Sequence, residues 1–443
     1  MHRLIRNAHR IATVTEGGTL RDADIRIRSG VIEEVGQGLA AGDAEIVDAS
    51  RHVVTPGLVN THHHLFQTLT RAVPAAQDAP LFGWLRTLYP IWSRLTPDDL
   101  RVSATVGMAE LALSGCTMSS DHLYLFPNGG RLDDSIEGAT RIGIRFHATR
   151  GAMSIGESDG GLPPDALVED EAAILNDCER VVAAFHDPSP SAMLRIGLAP
   201  CSPFSVSREL MRDAADLARS LAVRLHTHLA ENDEDVAFSR ERFGMTPGEY
   251  AEDCGWTGAD VWHAHCVKLT PPEIDLFART GTAVAHCPCS NCRLASGIAP
   301  VRAMQDAGVT VGLGVDGSAS SDMGELAAEM RMAMLLQRVT GAPMSAAEAL
   351  EIATAGGAAA LGRPDLGRIA PGFRADLAFW DAFAVPMAGS WDPAALALAG
   401  PGRVDRLMVE GRDIVAEGRL IGLDLAPVLE EHRAAALRLM RFD

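Results

Sequence analysis

Lysine is all but missing from this chain. Lys268 is the single example; the rest of the 39 basic residues are arginine, and against 58 acidic residues they leave a formal net charge of −19. Charge of that sign repels a nucleic-acid phosphate backbone and an anionic membrane face alike, so neither is an expected partner. Long apolar runs are missing too. No stretch reaches the ~20 consecutive apolar residues of a membrane span. The opening MHRLIRNAHRIATVTEGG lacks the apolar core and cleavage site of a secretory signal, which makes a cytoplasmic location the expectation. Cysteine occurs eight times, at 116, 178, 201, 254, 266, 287, 289 and 292, too scattered for a disulfide framework and better suited to reduced core thiols.

Core material, by contrast, is plentiful: 47% of the 443 residues are hydrophobic. That length allows two or three domains, although a barrel can fill well over half of it. Residues 1–54 carry short alternating runs, LIRNAHRIATV, ADIRIRSGVIEEVG and AEIVDAS, broken by Gly and Asp as small antiparallel strands are. Similar runs, RADLAFWD, VDRLMVEGRDIV and EGRLIGLD, return within 367–425, where GRIAPGFRADLAFWD is turn chemistry feeding a strand. The two ends therefore read as halves of one small β-sandwich domain, followed by a helix over 426–443.

Between them, over 55–366, short β-like runs alternate with helical patterns such as PDDLRVSATVGMAELALSG and RELMRDAADLARSLA. Eight such runs are found: HVVTPGLVNTHHH, CTMSSDHLY, GIRFHATRG, LRIGLAPCS, AVRLHTHLAE, DVWHAHC, TAVAHCP and VTVGLGVDG. Repeated βα units imply a parallel sheet, and eight imply a closed (β/α)8 TIM-like barrel of the α/β class. Each run ends on polar, reactive residues, and in that fold the C-terminal strand ends carry the active site.

Those ends contain an unusual set. In GLVNTHHHLFQ, strand alternation sends His62 and His64 to one face and His63 to the other. The fifth run puts His226 and His228 on one face, with Glu231 three residues on; the sixth offers His263 and His265, the eighth Asp316. Imidazole nitrogen and carboxylate oxygen suit a borderline-soft divalent ion, and a catalytic site leaves one position open for water. His62, His64, one of the fifth-run pair and Asp316 would supply such a shell.

THHH, HLAE, HC and VDGS in this order resemble the amidohydrolase superfamily, in particular its deaminase and chlorohydrolase branch, along nearly the whole chain. The resemblance implies that His62, His64, His228 and Asp316 bind one metal and that Glu231, His265 and Asp316 do the chemistry, leaving His63, His226, His263 and His286 as core or supporting histidines. Binuclear members carry a bridging carboxylated lysine at the end of the fourth strand. Here that run ends APCSPF, so a mononuclear centre is expected, zinc first and iron as the alternative, and Cys201 reads as a structural thiol. PCSNC matches half of a cytidine-deaminase zinc motif, but the His-x-Glu half is missing and HCPCSN fits the segment that closes the seventh strand in the resembling family.

A glutamine and an arginine contact the purine in guanine deaminases, and Gln67 and Arg150 stand in similar places; Trp84 could wall the ring. A closer resemblance, through HHHLFQTLTRAVPAAQDAPLFGWL, SSDHLYLFPNG, RFHATRGAMS and HCPCSN, is to bacterial deaminases of 8-oxoguanine, with Ser321 a departure where relatives often have Asn. It implies conversion of 8-oxoguanine to urate and ammonia, with His122 and Tyr124 as candidates for reading N7–H and O8. Isoxanthopterin, guanine and triazines are the alternative substrates of such a site, and a non-catalytic scaffold would be expected to lack some of these groups. The expected partners are a small purine-like molecule and, on base rates, further copies of the chain.

Overall fold

A computed structural model describes residues 1–396 and 402–441. Eight parallel strands close a barrel. They are β1 (Leu58–Asn60), β2 (Cys116–Leu123), β3 (Arg145–Ala152), β4 (Leu194–Pro200), β5 (Arg224–Leu229), β6 (Val261–His265), β7 (Ala283–His286) and β8 (Val311–Leu313), each joined to the next through helix-containing segments. β2 and β3 are buried at every position, as strands enclosed on both faces must be. Several helices around the barrel begin on side-chain caps: Thr96 and Asp99 form a capping box before β2, as do Ser345 and Glu348 after β8.

The remaining nine strands form one sheet drawn from both ends of the chain. His2–Ala12 pairs antiparallel with Thr19–Arg28, and His52–Pro56 receives Leu377–Asp381 in the register Leu377↔Pro56, which splices the C-terminal strands onto the N-terminal ones. Ile5, Ile25, Ile27, Val54, Leu377 and Phe379 bury their side chains in a separate apolar cluster of this sheet. The run HVVTPGLVN, taken above as one strand, is two. Its first half belongs to the outer sheet and its second to the barrel, and the chain crosses between them at Gly57, where an added Cβ would lie 2.2 Å from the Thr117 side chain.

The barrel meets the sheet at its N-terminal mouth. Arg145, the first residue of β3, is fully buried and donates to both Asp376 oxygens at 2.7 and 3.1 Å and to Glu410. The last helix, Leu425–Met440, packs on the barrel side of the molecule through Val428 and Leu439; residues 442 and 443 of the expected helix lie outside those described. Among the described residues no helix is long and apolar enough to cross a membrane. All eight cysteines are free thiols.

Candidate active site

Histidines and carboxylates from five strand ends converge at the C-terminal mouth. Beyond β1 the ladder continues through His62 O, which accepts Asp316 N–H at 3.1 Å, and His63 O, which accepts His122 N–H at 2.7 Å. The pleat therefore persists past the strand and turns His62 and His64 inward together, with His63 away from them. Asp316 and His265 reach the mouth with φ of 61° and 70°, left-handed values that few side chains adopt and that often mark functional positions.

The hydrogen bonds fix the tautomer of each inward imidazole. A backbone carbonyl can only accept, so His64 Nδ1, 2.7 Å from His122 O, and His228 Nδ1, 2.6 Å from Cys201 O, both carry the proton. His226 Nδ1 likewise donates to Trp262 O at 2.8 Å, leaving its Nε2 to accept from His62 Nδ1 at 2.8 Å. Burial, opposed at His62 and His64 by Asp316, lowers the pKa of all four rings, so each is neutral with a single N–H. The Nε2 lone pairs of His62, His64 and His228 are thus all unprotonated and directed at one spot.

That spot is built for a cation. His64 Nε2 and His228 Nε2 face one another at 3.1 Å, and Asp316 Oδ1 lies 3.3 Å from both His62 Nε2 and His64 Nε2. His62 Nε2 has no hydrogen-bond partner in the protein. Converging lone pairs beside a carboxylate repel unless a positive ion sits among them, and three imidazoles with one carboxylate are the donor set of a mononuclear zinc-type centre. Burial opposes ionisation of Asp316, but the imidazoles packed around it, His62 and His265 among them, outweigh that and hold the carboxyl well below its usual range. Lys268 lies elsewhere, paired with Asp233 at 3.0 Å.

Beside this cluster lies a small cavity of about 30 Å³, lined among others by Gln67, Trp84, Tyr124, Glu231, His265 and Asp316. His265 Nδ1 pairs with Asn291 Oδ1 at 2.9 Å, and its Nε2 faces Glu231 Oε2 at 3.6 Å and Asp316 Oδ2 at 3.9 Å. Burial, reinforced by Asp316 and Asp235, raises the Glu231 pKa to about 7. Burial disfavours the His265 imidazolium, yet Glu231, Asp316 and Asn291 raise its pKa overall. Glu231 Oε1 has no partner, while its backbone N–H is held by Asp235 Oδ2 at 3.0 Å. A carboxyl poised near neutrality beside an imidazole of raised pKa can donate and recover a proton within one turnover.

Sequence reading does less well on the substrate side. Gln67 lines the cavity with both amide atoms unpartnered and packs against Gly317, where an added Cβ would stand 1.9 Å from its Oε1. Trp84 lines it too, its indole N–H donated to Ala319 O at 3.2 Å. Tyr124 stands edge-on to His64 at 5.1 Å.

Two expected substrate contacts do not reach the cavity. Arg150 donates to Asp177 at 2.7 Å and to Glu169 at 2.8 and 3.1 Å, and its guanidinium covers Phe126, so it buttresses the following helix. His122 lies beneath the imidazole cluster: its Nε2 donates to Ala199 O at 2.8 Å and its ring stacks on His228 at 4.7 Å. Cys201 does line the cavity, and burial pushes its thiol up to about 12, which suits the inert role expected of it. Asn291, Asp235, Ser320 and Tyr89 were not foreseen. Asn291 sits inside HCPCSN and Asp235 four residues past Glu231, but nothing local marks Ser320 or Tyr89.

Known proteins resemble this chain along nearly its whole length. Residues 53–414 match the amidohydrolase family. An 8-oxoguanine deaminase of Pseudomonas aeruginosa is 47% identical over 97% of this chain and 98% of its own. An isoxanthopterin deaminase from an unknown prokaryotic organism is 38% identical over 99% and 97%. Among solved structures, atrazine chlorohydrolase from Arthrobacter aurescens TC1 complexed with zinc superposes with a TM-score of 0.93 at 35% identity, covering 98% of this chain and 99% of that one.

Proposed function

Since the chain belongs to the amidohydrolase family, we propose that it hydrolyses the exocyclic amino group of 8-oxoguanine, taking up one water and giving urate and ammonia. His62, His64, His228 and Asp316 would hold one divalent ion, zinc before iron. When bound, such an ion lowers the pKa of a coordinated water so that hydroxide is available near neutral pH.

The chain's own groups supply the proton traffic. Asp316 Oδ2, 3.3 Å from Ser320 Oγ, is the base that takes the proton of the attacking water. Glu231 gives its proton to the ring nitrogen next to C2 as oxygen adds to that carbon, and His265 donates from Nε2 to the oxygen on which charge develops. The proton held by Asp316 then passes to the amino nitrogen, the C2–N bond breaks as ammonia leaves, and the new C2 hydroxyl gives up its proton to Glu231 as it becomes the carbonyl of the product. The observation that carries this reading is the Glu231 carboxyl, buried with a free Oε1 and 3.6 Å from His265.

Identity of 47% along almost the whole chain supports 8-oxoguanine over the alternatives. Isoxanthopterin presents a similar amino, carbonyl and N–H edge and is favoured second, on the 38% relative. Ammonia release by the zinc-loaded protein from 8-oxoguanine, guanine and isoxanthopterin, beside a metal-stripped control, decides among them. Preference for 8-oxoguanine is expected. Preference for the pterin overturns the substrate but keeps the mechanism, and silence on all three points to triazines.

A further inference from the structure

Tyrosine is scarce in this protein, with three residues against thirteen phenylalanines, yet two of the three, Tyr89 and Tyr124, line the cavity. Tyr89 is 1% exposed and its hydroxyl has no hydrogen-bond partner. Its ring packs edge-on to Trp92 at 5.8 Å, a contact that phenylalanine would make equally well. A buried hydroxyl without a partner destabilises the free protein, so its retention in a ligand cavity points to a partner that arrives with the ligand.

The other lining groups narrow what that partner is. His64, His228, Glu231, His265 and Asp316 surround the reacting carbon, and Gln67 rests on Gly317, beside Asp316. On the helix Leu81–Trp92, Leu81 and Leu85 are apolar and the Trp84 N–H is already donated to Ala319 O. The Tyr89 hydroxyl is the free polar group on that wall. In 8-oxoguanine the C2 amino group and the C8 carbonyl stand at opposite ends of the fused ring, so a molecule with C2 at Glu231 and His265 directs O8 away from them.

We propose that Tyr89 determines specificity by donating its phenolic O–H to O8 of the substrate. The assignment rests on the 8-oxoguanine reading above. Guanine carries C–H at that position, and when it binds, the hydroxyl stays buried and unpaired, which weakens guanine relative to its oxidised counterpart. A site built to hydrogen-bond a group rejects analogues that lack it far better than a site that only excludes by size.

The test compares zinc-loaded wild type with Tyr89→Phe. Expected is a KM for 8-oxoguanine that rises roughly tenfold to a hundredfold while kcat changes little, with guanine unchanged or improved. Competitive binding of the two products gives a readout independent of turnover: urate, which has O8, should bind wild type more tightly than xanthine, which lacks it, and the substitution should erase that difference. Equal losses on both substrates, an unchanged preference, or a wild type that binds urate and xanthine alike would overturn the role of Tyr89. A wild type inactive on 8-oxoguanine would overturn the substrate reading itself, and this assignment with it.

Discussion

The two mouths of the barrel both bury carboxylates, and they complete them in opposite ways. At the N-terminal mouth Asp376 receives two bonds from Arg145, at 2.7 and 3.1 Å, and a third from Glu410 N–H at 2.9 Å. At the C-terminal mouth Glu231 has one oxygen without a partner and the other 3.6 Å from His265. Burial is comparable; completion is not. A saturated buried ion pair joins two parts of a fold, whereas polar groups left incomplete at a cavity wait for a ligand. Incompleteness by itself is not the mark, because His63, His147 and His286 also lack partners at both ring nitrogens. Each of these stands apart from the lone-pair cluster formed by His62, His64 and His228.

The contrast can be broken by removing one group at each mouth. The largest effect is expected at Asp316: Asp316→Asn removes an anionic ligand and the base together, and kcat should fall by ~10⁴, the upper range for one proton-transferring group. Glu231→Gln should lower kcat by ~10²–10⁴ while the bound metal, measured by elemental analysis, is retained. Its pH profile sharpens the point. With its pKa raised to about 7, Glu231 is protonated below that value and loses its proton above it, so kcat/KM should fall as pH rises through about 7. In Glu231→Gln that limb should vanish; ordinary turnover in this variant would remove Glu231 from the mechanism. At the other mouth Asp376→Ala removes one of the two carboxylates on the buried Arg145, leaving Glu410 as its partner, and should cost ~1–3 kcal/mol of stability in denaturant unfolding. The fraction still folded should keep its wild-type kcat, and a proportional loss of kcat would dissolve the distinction between the mouths.

What the sequence discloses and what it conceals divide along the same line. The barrel, the inward pair His62 and His64, and the positions of Glu231, His265 and Asp316 follow from strand periodicity and strand ends, which are local properties. Arg150 misleads because a strand-end arginine is captured by Glu169 and Asp177, acids from the segment after its strand, and no periodicity reports that pairing. His122 misleads because position at a strand end does not reveal that the ring stacks under His228. Tyr89 and Asn291 escape notice because helices carry them to the site, and their approach is decided by packing between distant segments.

His226 allows the smallest and most discriminating test. It enters the sequence reading as a supporting histidine, yet its Nδ1 is fixed by Trp262 O and its Nε2 accepts the proton of His62 Nδ1 at 2.8 Å. That relay leaves the His62 Nε2 lone pair free for the ion, as hydrogen-bonded partners behind metal-binding histidines do. His226→Phe should keep much of the ring's packing against Trp262, which is stacked at 4.5 Å, while deleting the acceptor. Zinc affinity, measured by competition with a chelator, should weaken by ~10–100-fold. His226→Gln, whose amide oxygen can accept the same proton, should recover part of it. Equal losses in the two variants would mean that His226 acts through packing and that something else sets the tautomer of His62. Recovery in the glutamine variant alone would place the ordering of the metal cluster one residue behind the groups that would touch the ion.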